Sequence, residues 1–221
     1  MGRTWVVIPM YNEGTVVQEV VREVRETFPH VVCVDDGSTD ESVDLARAAG
    51  AVVVQHPINM GQGAALQTGF AYALSDPLTT EVVTFDADGQ HQVADAAGMV
   101  EKLHAEHLDV VIGSRFLDER TEVGRLRRLI LKTAAVYTRW TSGMALTDAH
   151  NGLRAIDRGL LERLRLKQNR MAHASELVDK IGALKVAWAE YPTHIIYTDY
   201  SKAKGQSLLN SVNILFELIF R

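Results

Sequence analysis

Two aspartates separated by one residue, Asp86 and Asp88, carry the strongest chemical signal in the sequence. They follow the apolar run 81–85, whose β-branched and aromatic residues are typical of a buried strand. At a turn after a strand, two carboxylates with this spacing can face one ion, and hard divalent cations prefer oxygen ligands. Gln90 could add a carbonyl oxygen. A bare D-x-D pair often only fills a loop or caps a helix, so its meaning depends on what surrounds it.

A second acidic pair, Asp35 and Asp36, follows the apolar run 31–34. Aspartate in a turn before a helix is common, but two adjacent acids leave one to accept a hydrogen bond from a ligand N–H or hydroxyl. Polar residues also follow two other apolar runs. These are Pro9-Met10-Tyr11-Asn12-Glu13 after the first run and Ser114-Arg115 after the run at 110–112.

The elements that must position these residues alternate along the chain. Short β-branched runs alternate with helical periods, which predicts βαβ units and a mostly parallel sheet flanked by helices. We expect strands at 5–8, 31–34, 51–54, 81–85, 110–112, 185–189 and 194–197, and helices over 15–28, 38–49, 59–74, 93–106 and 175–184. Ser38 and Glu41 fit a capping box at the start of the second helix. Because ligands bind outside the carboxyl ends of such strands, the polar strand ends should converge on one crevice.

Composition limits the alternatives. The 221 residues are 47% hydrophobic and 23% charged, which indicates a globular chain, and no repeat or linker suggests a second independent domain. The net charge of −5 argues against a general nucleic-acid binder. The single cysteine, Cys33, excludes an intrachain disulfide and suits a reducing compartment. We expect no secretion signal at the start of this sequence and no spanning helix, because no stretch reaches about 20 apolar residues.

The motifs together resemble the family 2 glycosyltransferases of the GT-A fold. The resemblance is carried by four motifs in order: Pro9-x-Tyr11-Asn12-Glu13, Val34-Asp35-Asp36-Gly37-Ser38-x-Asp40, Asp86-x-Asp88-x-Gln90-His91 and Gly113-Ser114-Arg115. Two later segments, Asp148-x-x-x-Gly152-Leu153-Arg154-Ala155 and Tyr200-Ser201-Lys202-x-Lys204-Gly205, are similar to the dolichyl-phosphate and polyprenyl-phosphate sugar synthases of that family. The resemblance implies one GT-A domain over 1–206, with a nucleotide-sugar half at 1–115 and an acceptor half at 116–206, followed by an amphipathic helix at 207–221.

The resemblance also implies roles for individual residues. Asp86, Asp88 and Arg115 would be catalytic, and Asp86, Asp88 and Gln90 would hold Mg²⁺ or Mn²⁺ against the donor diphosphate. The nucleotide would be bound by Pro9, Tyr11, Asn12, Glu13, Asp36 and Ala87. The acceptor phosphate would be bound by Arg128, Lys132, Arg154, Lys202 and Lys204.

The implied reaction is the transfer of a mannose- or glucose-type hexose from a GDP- or UDP-sugar to polyprenyl or dolichyl phosphate, with inversion. Two alternatives remain. One is a transferase to a sugar or protein hydroxyl in cell-envelope glycan assembly, for which Glu176 or Asp148 could supply the general base. The other is a nucleotide-binding subunit without turnover. The chain lacks the Q-x-x-R-W motif of processive polysaccharide synthases.

Two surfaces suggest further partners. Residues 120–139 carry six basic side chains and only Glu122 as an acid, typical of a solvated helix face or of a contact with a lipid phosphate or membrane surface. The predicted helix 207–221 has a wide apolar stripe but is too short to cross a bilayer. We expect it to bind the membrane, a partner subunit or a small membrane-anchor protein, unless it packs on its own core. The protein would then be cytoplasmic and peripheral on the inner face of the membrane, and a homo-oligomer is compatible with the sequence.

Overall fold

The computed structural model describes residues 2–118, 133, 135–136, 138–149, 151–170 and 172–196. These residues form one seven-stranded sheet with helices on both faces. The strands are β1 Arg3–Met10, β2 His30–Asp35, β3 Val52–Gln55, β4 Thr79–Thr84, β5 Val110–Ser114, β6 Arg154–Asp157 and β7 Trp188–Pro192. The helices are α1 Val17–Thr27, α2 Ser42–Ala48, α3 Gln62–Ser75, α4 Val93–Ala105, α5 Arg158–Leu161 and α6 His173–Leu184, and residues 138–142 are also helical.

The strand order is β3-β2-β1-β4-β6-β5-β7. All neighbouring strands are parallel except β6, which runs antiparallel between β4 and β5. The chain moves outward from β1 through β2 to β3 and then crosses to β4 on the other side of β1. This change of direction opens a crevice at the carboxyl ends of β1 and β4, which is where open α/β sheets bind ligands. The predicted mostly parallel sheet is confirmed.

Both faces of the sheet are covered, which explains why the strands read as continuous apolar runs. In β1, Val6 and Ile8 pack toward α1, α2 and α4, while Trp5 and Val7 pack toward α3, α5 and α6. Cys33 is fully buried in the first of these two cores. Burial raises the pKa of its thiol to about 12, so the thiol is neutral and unreactive at physiological pH.

The predicted capping box at Ser38 and Glu41 is wrong. Helix α2 begins at Ser42, and the backbone N–H of Ser42 donates to Asp40 Oδ1 at 3.0 Å. The Ser38 hydroxyl instead accepts from the backbone N–H of Asn12 at 2.9 Å, a contact between two loops. Competition from that tertiary contact moves the helix start by about one turn.

The strand assignments near the end of the described residues also change. Lys185 adopts a left-handed conformation with φ of 50° and ends α6, so the predicted strand 185–189 becomes β7 at Trp188–Pro192. Residues 193–196 are not a strand, which contradicts the prediction of a strand at 194–197. The segment Gly152–Ile156, for which the sequence indicated no element type, contributes β6.

No helix among the described residues is long and apolar enough to span a membrane. Several predictions lie outside the described residues. These are the helix 207–221, the domain boundary at 206, and the cations Arg128, Lys132, Lys202 and Lys204. The division into halves at residue 115 stays a prediction.

Candidate active site

The crevice gathers polar residues from five strands. Asp36, Asp86 and Arg115 follow β2, β4 and β5 directly or by one residue. Strand β6 contributes from the opposite direction: because it is antiparallel, its first residue Arg154 lies beside Thr84 of β4 and Ile112 of β5, at the carboxyl edge. The structure therefore brings the predicted D-x-D motif and Arg154 together.

Asp86 is held by one residue from the loop after β4 and by the first residue of α3. Its Oδ2 atom lies 3.0 Å from His91 Nε2, and its Oδ1 atom accepts from Gln62 Nε2 at 3.1 Å. Burial alone would raise the pKa of Asp86, but the hydrogen bond and charge of His91 and the charge of Arg154 outweigh it and hold the pKa below its ordinary value. Asp86 is therefore ionised and fixed in orientation. Each of its oxygens keeps a lone pair that neither of these two donors uses.

Gly152 forms the surface against which Asp86 packs. A Cβ atom on Gly152 would lie 2.9 Å from Asp86 Cγ, closer than real Cβ contacts allow. The segment is tied to the site, since the Thr84 hydroxyl donates to the Gly152 carbonyl at 2.6 Å and Leu153 N donates to Asn151 Oδ1 at 3.0 Å. Only glycine at this position lets the carboxylate of Asp86 keep its place.

Asp88 has a different environment from Asp86. Its oxygens accept two hydrogen bonds from Gln90, one from the backbone N–H at 3.1 Å and one from Nε2 at 2.7 Å. Burial and then the negative charge of Asp86 raise the pKa of Asp88 to about 6. A divalent cation bound between these two carboxylates would relieve the repulsion between their negative charges.

The donor set is compatible with Mg²⁺ or Mn²⁺ but supplies few protein ligands. No group of three or more His, Cys, Asp and Glu side chains that could hold a metal ion occurs among the described residues. Asp86 and Asp88 would therefore provide two carboxylates, and other positions would fall to phosphate oxygens and water, as is common for Mg²⁺. Gln90 lies in the predicted place, with its amide nitrogen turned to Asp88.

The two arginines of the crevice are buried rather than open to an acceptor. Arg154 is 2% exposed, and its Nε atom has no hydrogen-bond partner. Burial lowers the pKa of Arg154 to about 10, although the negative charges of Asp86 and Asp148 act to raise it. Arg154 therefore stays a cation near neutral pH. Arg115 is 8% exposed and binds Asp148 through two bonds, of 2.6 Å and 2.7 Å. The assignment of Arg154 to the acceptor phosphate stays a prediction, and the structure places this residue, buried, at the carboxyl edge of the sheet.

The loops that follow β1 and β2 are joined to each other by hydrogen bonds. Glu13 N donates to the Ser42 hydroxyl at 2.8 Å, and Thr39 N donates to Asn12 Oδ1 at 2.9 Å. Asn12 has φ of 53°, a left-handed conformation that asparagine tolerates better than most residues. Asn12 therefore builds the loop through its own amide oxygen.

Asp36 makes more hydrogen bonds within the protein than the sequence suggested. It is 3% exposed, and its carboxylate accepts from Met60 N at 2.9 Å and Gly61 N at 2.7 Å. Its Oδ1 atom also lies 2.8 Å from His56 Nδ1, whose other nitrogen lies 2.9 Å from the Thr68 hydroxyl. Asp36 thus fixes the loop before α3.

The remaining predicted nucleotide residues surround this region. Tyr11 is 43% exposed just beyond the end of β1. Pro9 and Ala87 are buried in or beside the strands, and Glu13 is half-buried, close enough to Asp88 to raise its pKa. The structure therefore places all six predicted nucleotide residues at the β1, β2 and β4 ends.

Sequence reasoning missed Gln62 and His56. Gln62 lies between Gly61 and Gly63, and both glycines pack closely against the backbone of Asn169. A polar side chain between two such glycines, in the first turn of a helix that starts at the crevice, is a signal that could have found Gln62. His56 follows β3 directly, so a survey of that strand end could have found it as well.

The two carboxylates that could serve as bases are already committed. Glu176 accepts from Lys167 N at 2.9 Å and Gln168 N at 2.8 Å, and lies 2.9 Å from the Lys180 ammonium. Burial would raise the pKa of Glu176, but these donors outweigh it and lower the pKa. Asp148 is 1% exposed and bound to Arg115. Both carboxylates are therefore already engaged by neighbouring donors within the protein.

Comparison with known proteins identifies the class. The family model described as "Glycosyl transferase family 2" matches residues 5–165, and the chain belongs to that family. The fold is GT-A. A solved structure of glucosyl-3-phosphoglycerate synthase from Mycobacterium tuberculosis, in complex with Mn²⁺, UDP and phosphoglyceric acid, superposes with a TM-score of 0.72 at 21% identity. It covers 98% of this chain and 78% of that one.

Among the relatives are enzymes named for lipid-phosphate acceptors. The UDP-N-acetylglucosamine–dolichyl-phosphate N-acetylglucosaminyltransferase of Methanococcus voltae is 27% identical over 97% of this chain and 94% of its own length. The polyprenol monophosphomannose synthase of Mycolicibacterium smegmatis is 34% identical over 74% of this chain and 65% of its own.

Proposed function

We propose that this glycosyltransferase moves a sugar from a nucleoside-diphosphate donor to a polyprenyl or dolichyl phosphate and inverts the anomeric centre. The observation that carries this proposal is the commitment of Glu176 and Asp148 to other partners. A hydroxyl acceptor needs a base to remove its proton, whereas a phosphate oxygen is already ionised near pH 7. The names of the two relatives support the same acceptor class.

The donor would lie across the β1, β2 and β4 ends. Tyr11 would face the base, and the loop that Asp36 fixes would bound the nucleotide. A divalent cation held by Asp86 and Asp88 would supply positive charge to stabilise the leaving diphosphate. Gln62, His91 and Gly152 would keep Asp86 in the orientation that this requires.

The acceptor phosphate needs its own cations. Arg115 and Arg154 are buried beside carboxylates, so we assign them to fixing charge around Asp86 and Asp148. Direct contact with the phosphate would then fall to the cations outside the described residues. These are Arg128, Lys132, Lys202 and Lys204.

The sugar and base are narrower proposals. A hexose of mannose or glucose type and an N-acetylglucosamine are both represented among the names of the relatives, with UDP named for one donor. GDP and UDP donors are therefore both to be tested. We further propose a cytoplasmic enzyme that is peripheral on the inner face of the membrane.

The test is a transfer assay with radiolabelled UDP-glucose, UDP-N-acetylglucosamine and GDP-mannose, Mn²⁺ and polyprenyl phosphate in detergent. We expect label in the organic-extractable fraction with one of these donors. Glu176→Gln should retain transfer within about threefold, because the residue only closes a loop. Label on free sugars or peptides with none in lipid would overturn the acceptor class, as would complete loss of transfer in a folded Glu176→Gln variant.

A further inference from the structure

His173 is a buried polar side chain beside the proposed metal site, and the reaction proposed above gives it no role. It is the first residue of α6 and is 3% exposed. A Cβ atom on Gly63 would lie 2.7 Å from His173 Cβ, so the histidine packs against the first turn of α3. Gln62 begins that turn and donates to Asp86. His173 therefore borders the crevice on the α3 side of Asp86.

The hydrogen bond that His173 makes decides what its other ring nitrogen can do. Nδ1 lies 2.8 Å from the Arg170 carbonyl oxygen, which can only accept, so Nδ1 carries a proton. Burial lowers the pKa of His173 below its ordinary value, and the positive charge of Arg154 acts in the same direction. The hydrogen bond to Arg170 and the charges of Asp86 and Glu176 act to raise this pKa but do not outweigh burial. The ring is therefore neutral near pH 7, and its Nε2 atom presents a lone pair.

Two nitrogen atoms in this part of the crevice have unused hydrogen-bonding capacity. Within the part of the chain that the structure describes, His173 makes its hydrogen bond through Nδ1 and none through Nε2. Arg154 Nε also has no hydrogen-bond partner, in a side chain that is 2% exposed. A buried polar atom without a partner costs free energy unless water or a ligand supplies one. The crevice thus offers one acceptor and one donor in buried side chains that lie near Asp86.

The chemistry of a neutral imidazole nitrogen selects the ligand group. An ionised phosphate oxygen carries no proton and cannot donate to Nε2, so neither a diphosphate nor an acceptor phosphate suits this atom. A sugar hydroxyl both donates and accepts, so it can donate to His173 Nε2 and accept from a donor such as Arg154 Nε. The N–H of an N-acetyl group can also donate. The ligand group that fits His173 is therefore a hydroxyl or an amide of a sugar.

The order of groups in a nucleotide sugar agrees with this position. The residues proposed to bind the nucleotide lie largely at the β1 and β2 ends, the two aspartates of the proposed metal site follow β4, and Arg154 begins β6, the next strand of the sheet. Base, diphosphate and sugar would follow one another in this direction. From this arrangement we infer that His173 is a specificity-determining residue that accepts a hydrogen bond from the donor sugar. The inference rests on the proposed function for its nucleotide-sugar donor but not for its lipid acceptor.

His173→Phe keeps a planar ring at this position but removes the acceptor. Calorimetric titration with Mn²⁺, without any acceptor, measures the binding of UDP-glucose, UDP-N-acetylglucosamine, GDP-mannose, UDP and GDP. We expect affinity for the nucleotide sugar that binds best to fall about tenfold, while affinity for its nucleoside diphosphate changes by no more than about twofold. His173→Gln, whose amide oxygen can accept, should recover part of the loss. His30→Phe, at the amino end of β2, is the matched control and should change neither affinity.

Donor analogues identify the sugar group and separate a direct contact from a general disturbance. With the unmodified protein, one deoxy analogue of the best donor should bind about tenfold more weakly than the parent sugar. With His173→Phe, the same analogue should bind as well as the parent, because the group that accepts from this hydroxyl is already absent. If the best donor carries an N-acetyl group, its 2-hydroxy counterpart serves as a further analogue.

Two results would overturn the inference and leave the proposed function standing. One is an equal loss of affinity for nucleoside diphosphate and nucleotide sugar in His173→Phe, which would make the residue a support of the crevice and not a contact of the sugar. The other is unmodified protein that binds every analogue as tightly as the parent donor, a result that decides the matter even if His173→Phe does not fold. Failure of all three nucleotide sugars to bind would reject the proposed function and this inference with it.

Discussion

The two ends of the crevice use similar residues in different ways. At the β1–β2 end, the oxygens of Asn12, Asp36 and Asp40 accept from backbone N–H groups of neighbouring loops. At the β4–β6 end, Asp86 contacts the side chains of Gln62 and His91, and Asp88 accepts from Gln90 within its own turn. The first end therefore joins loops, and the second holds two carboxylates at the crevice, where we propose that they face a ligand. Aspartates of equal prominence in the motifs thus have different tasks.

The largest effect should come from Asp88→Asn, which tests the ligand-facing end. We expect turnover to fall by about 10³-fold or more, because one of two protein carboxylates for the cation is lost. Thermal stability should stay equal or rise, since the substitution removes repulsion from Asp86. Asp44→Asn, on the exposed surface of α2, is the matched control and should leave kcat and melting temperature unchanged. Normal turnover by Asp88→Asn would contradict the proposed difference between the two ends of the crevice.

Gly152→Ala should have the next largest effect, because its methyl group would displace Asp86. A shift of about 1 Å in a catalytic group costs on the order of 100-fold in rate, so kcat should fall by about that factor in a folded protein. Gly143→Ala is the control, since no atom lies within 4 Å of the added methyl. It should lower the melting temperature, because Gly143 has φ of 74°, but leave kcat unchanged. Equal loss of kcat in both variants would contradict the positioning role.

The sequence predicts those parts of the fold that depend on local pattern. The apolar strands and the valine spacing of α1 depend on local periodicity, so the parallel sheet and its polar strand ends were predicted correctly. Strand β6 has four residues and begins with Arg154, and only its pairing with β4 and β5 makes it a strand. Local pattern carries no signal for such a pairing.

The site was predicted at the level of motifs rather than of contacts. The positions of Asp86 and Asp88 follow from the strand that precedes them. Their partners do not, because Gln62 reaches Asp86 across 24 residues of sequence. His56 reaches Asp36 across 20 residues. For the same reason the sequence could not distinguish an aspartate that closes a loop from one that faces a ligand.

Asp36→Asn tests the loop-building end. The amide cannot accept equally from Met60 N, Gly61 N and His56, so we expect a loss of about 1 to 3 kcal/mol in the free energy of unfolding. Nucleotide affinity should fall as well, because the loop before α3 bounds the proposed pocket. Urea denaturation and calorimetric titration with UDP and GDP measure the two effects. If nucleotide affinity is lost while stability is unchanged, Asp36 is a direct ligand of the nucleotide rather than a residue that builds the loop.

The smallest effect concerns pH. The pKa of Asp88 is raised from 3.8 to about 6, so the carboxylate is ionised above that pH and takes up a proton as pH falls through it. Protons then compete with a cation, and Mn²⁺ affinity should be about tenfold weaker at pH 5 than at pH 7.5. The decline should disappear in Asp88→Asn, in which the remaining weak affinity does not depend on this group. A pH-independent affinity in the unmodified protein would contradict the assignment.

The central claim is that Asp86 and Asp88 bind a cation together with the donor diphosphate. Calorimetric titration of UDP and GDP, each with Mn²⁺ and with chelator, into the unmodified protein, Asp86→Asn and Asp88→Asn tests it directly. We predict that one nucleotide binds the unmodified protein tightly with Mn²⁺ and much more weakly in chelator, and that both variants lose the dependence on Mn²⁺. Equal affinity with and without Mn²⁺, or full Mn²⁺-dependent binding by both variants, would contradict the account.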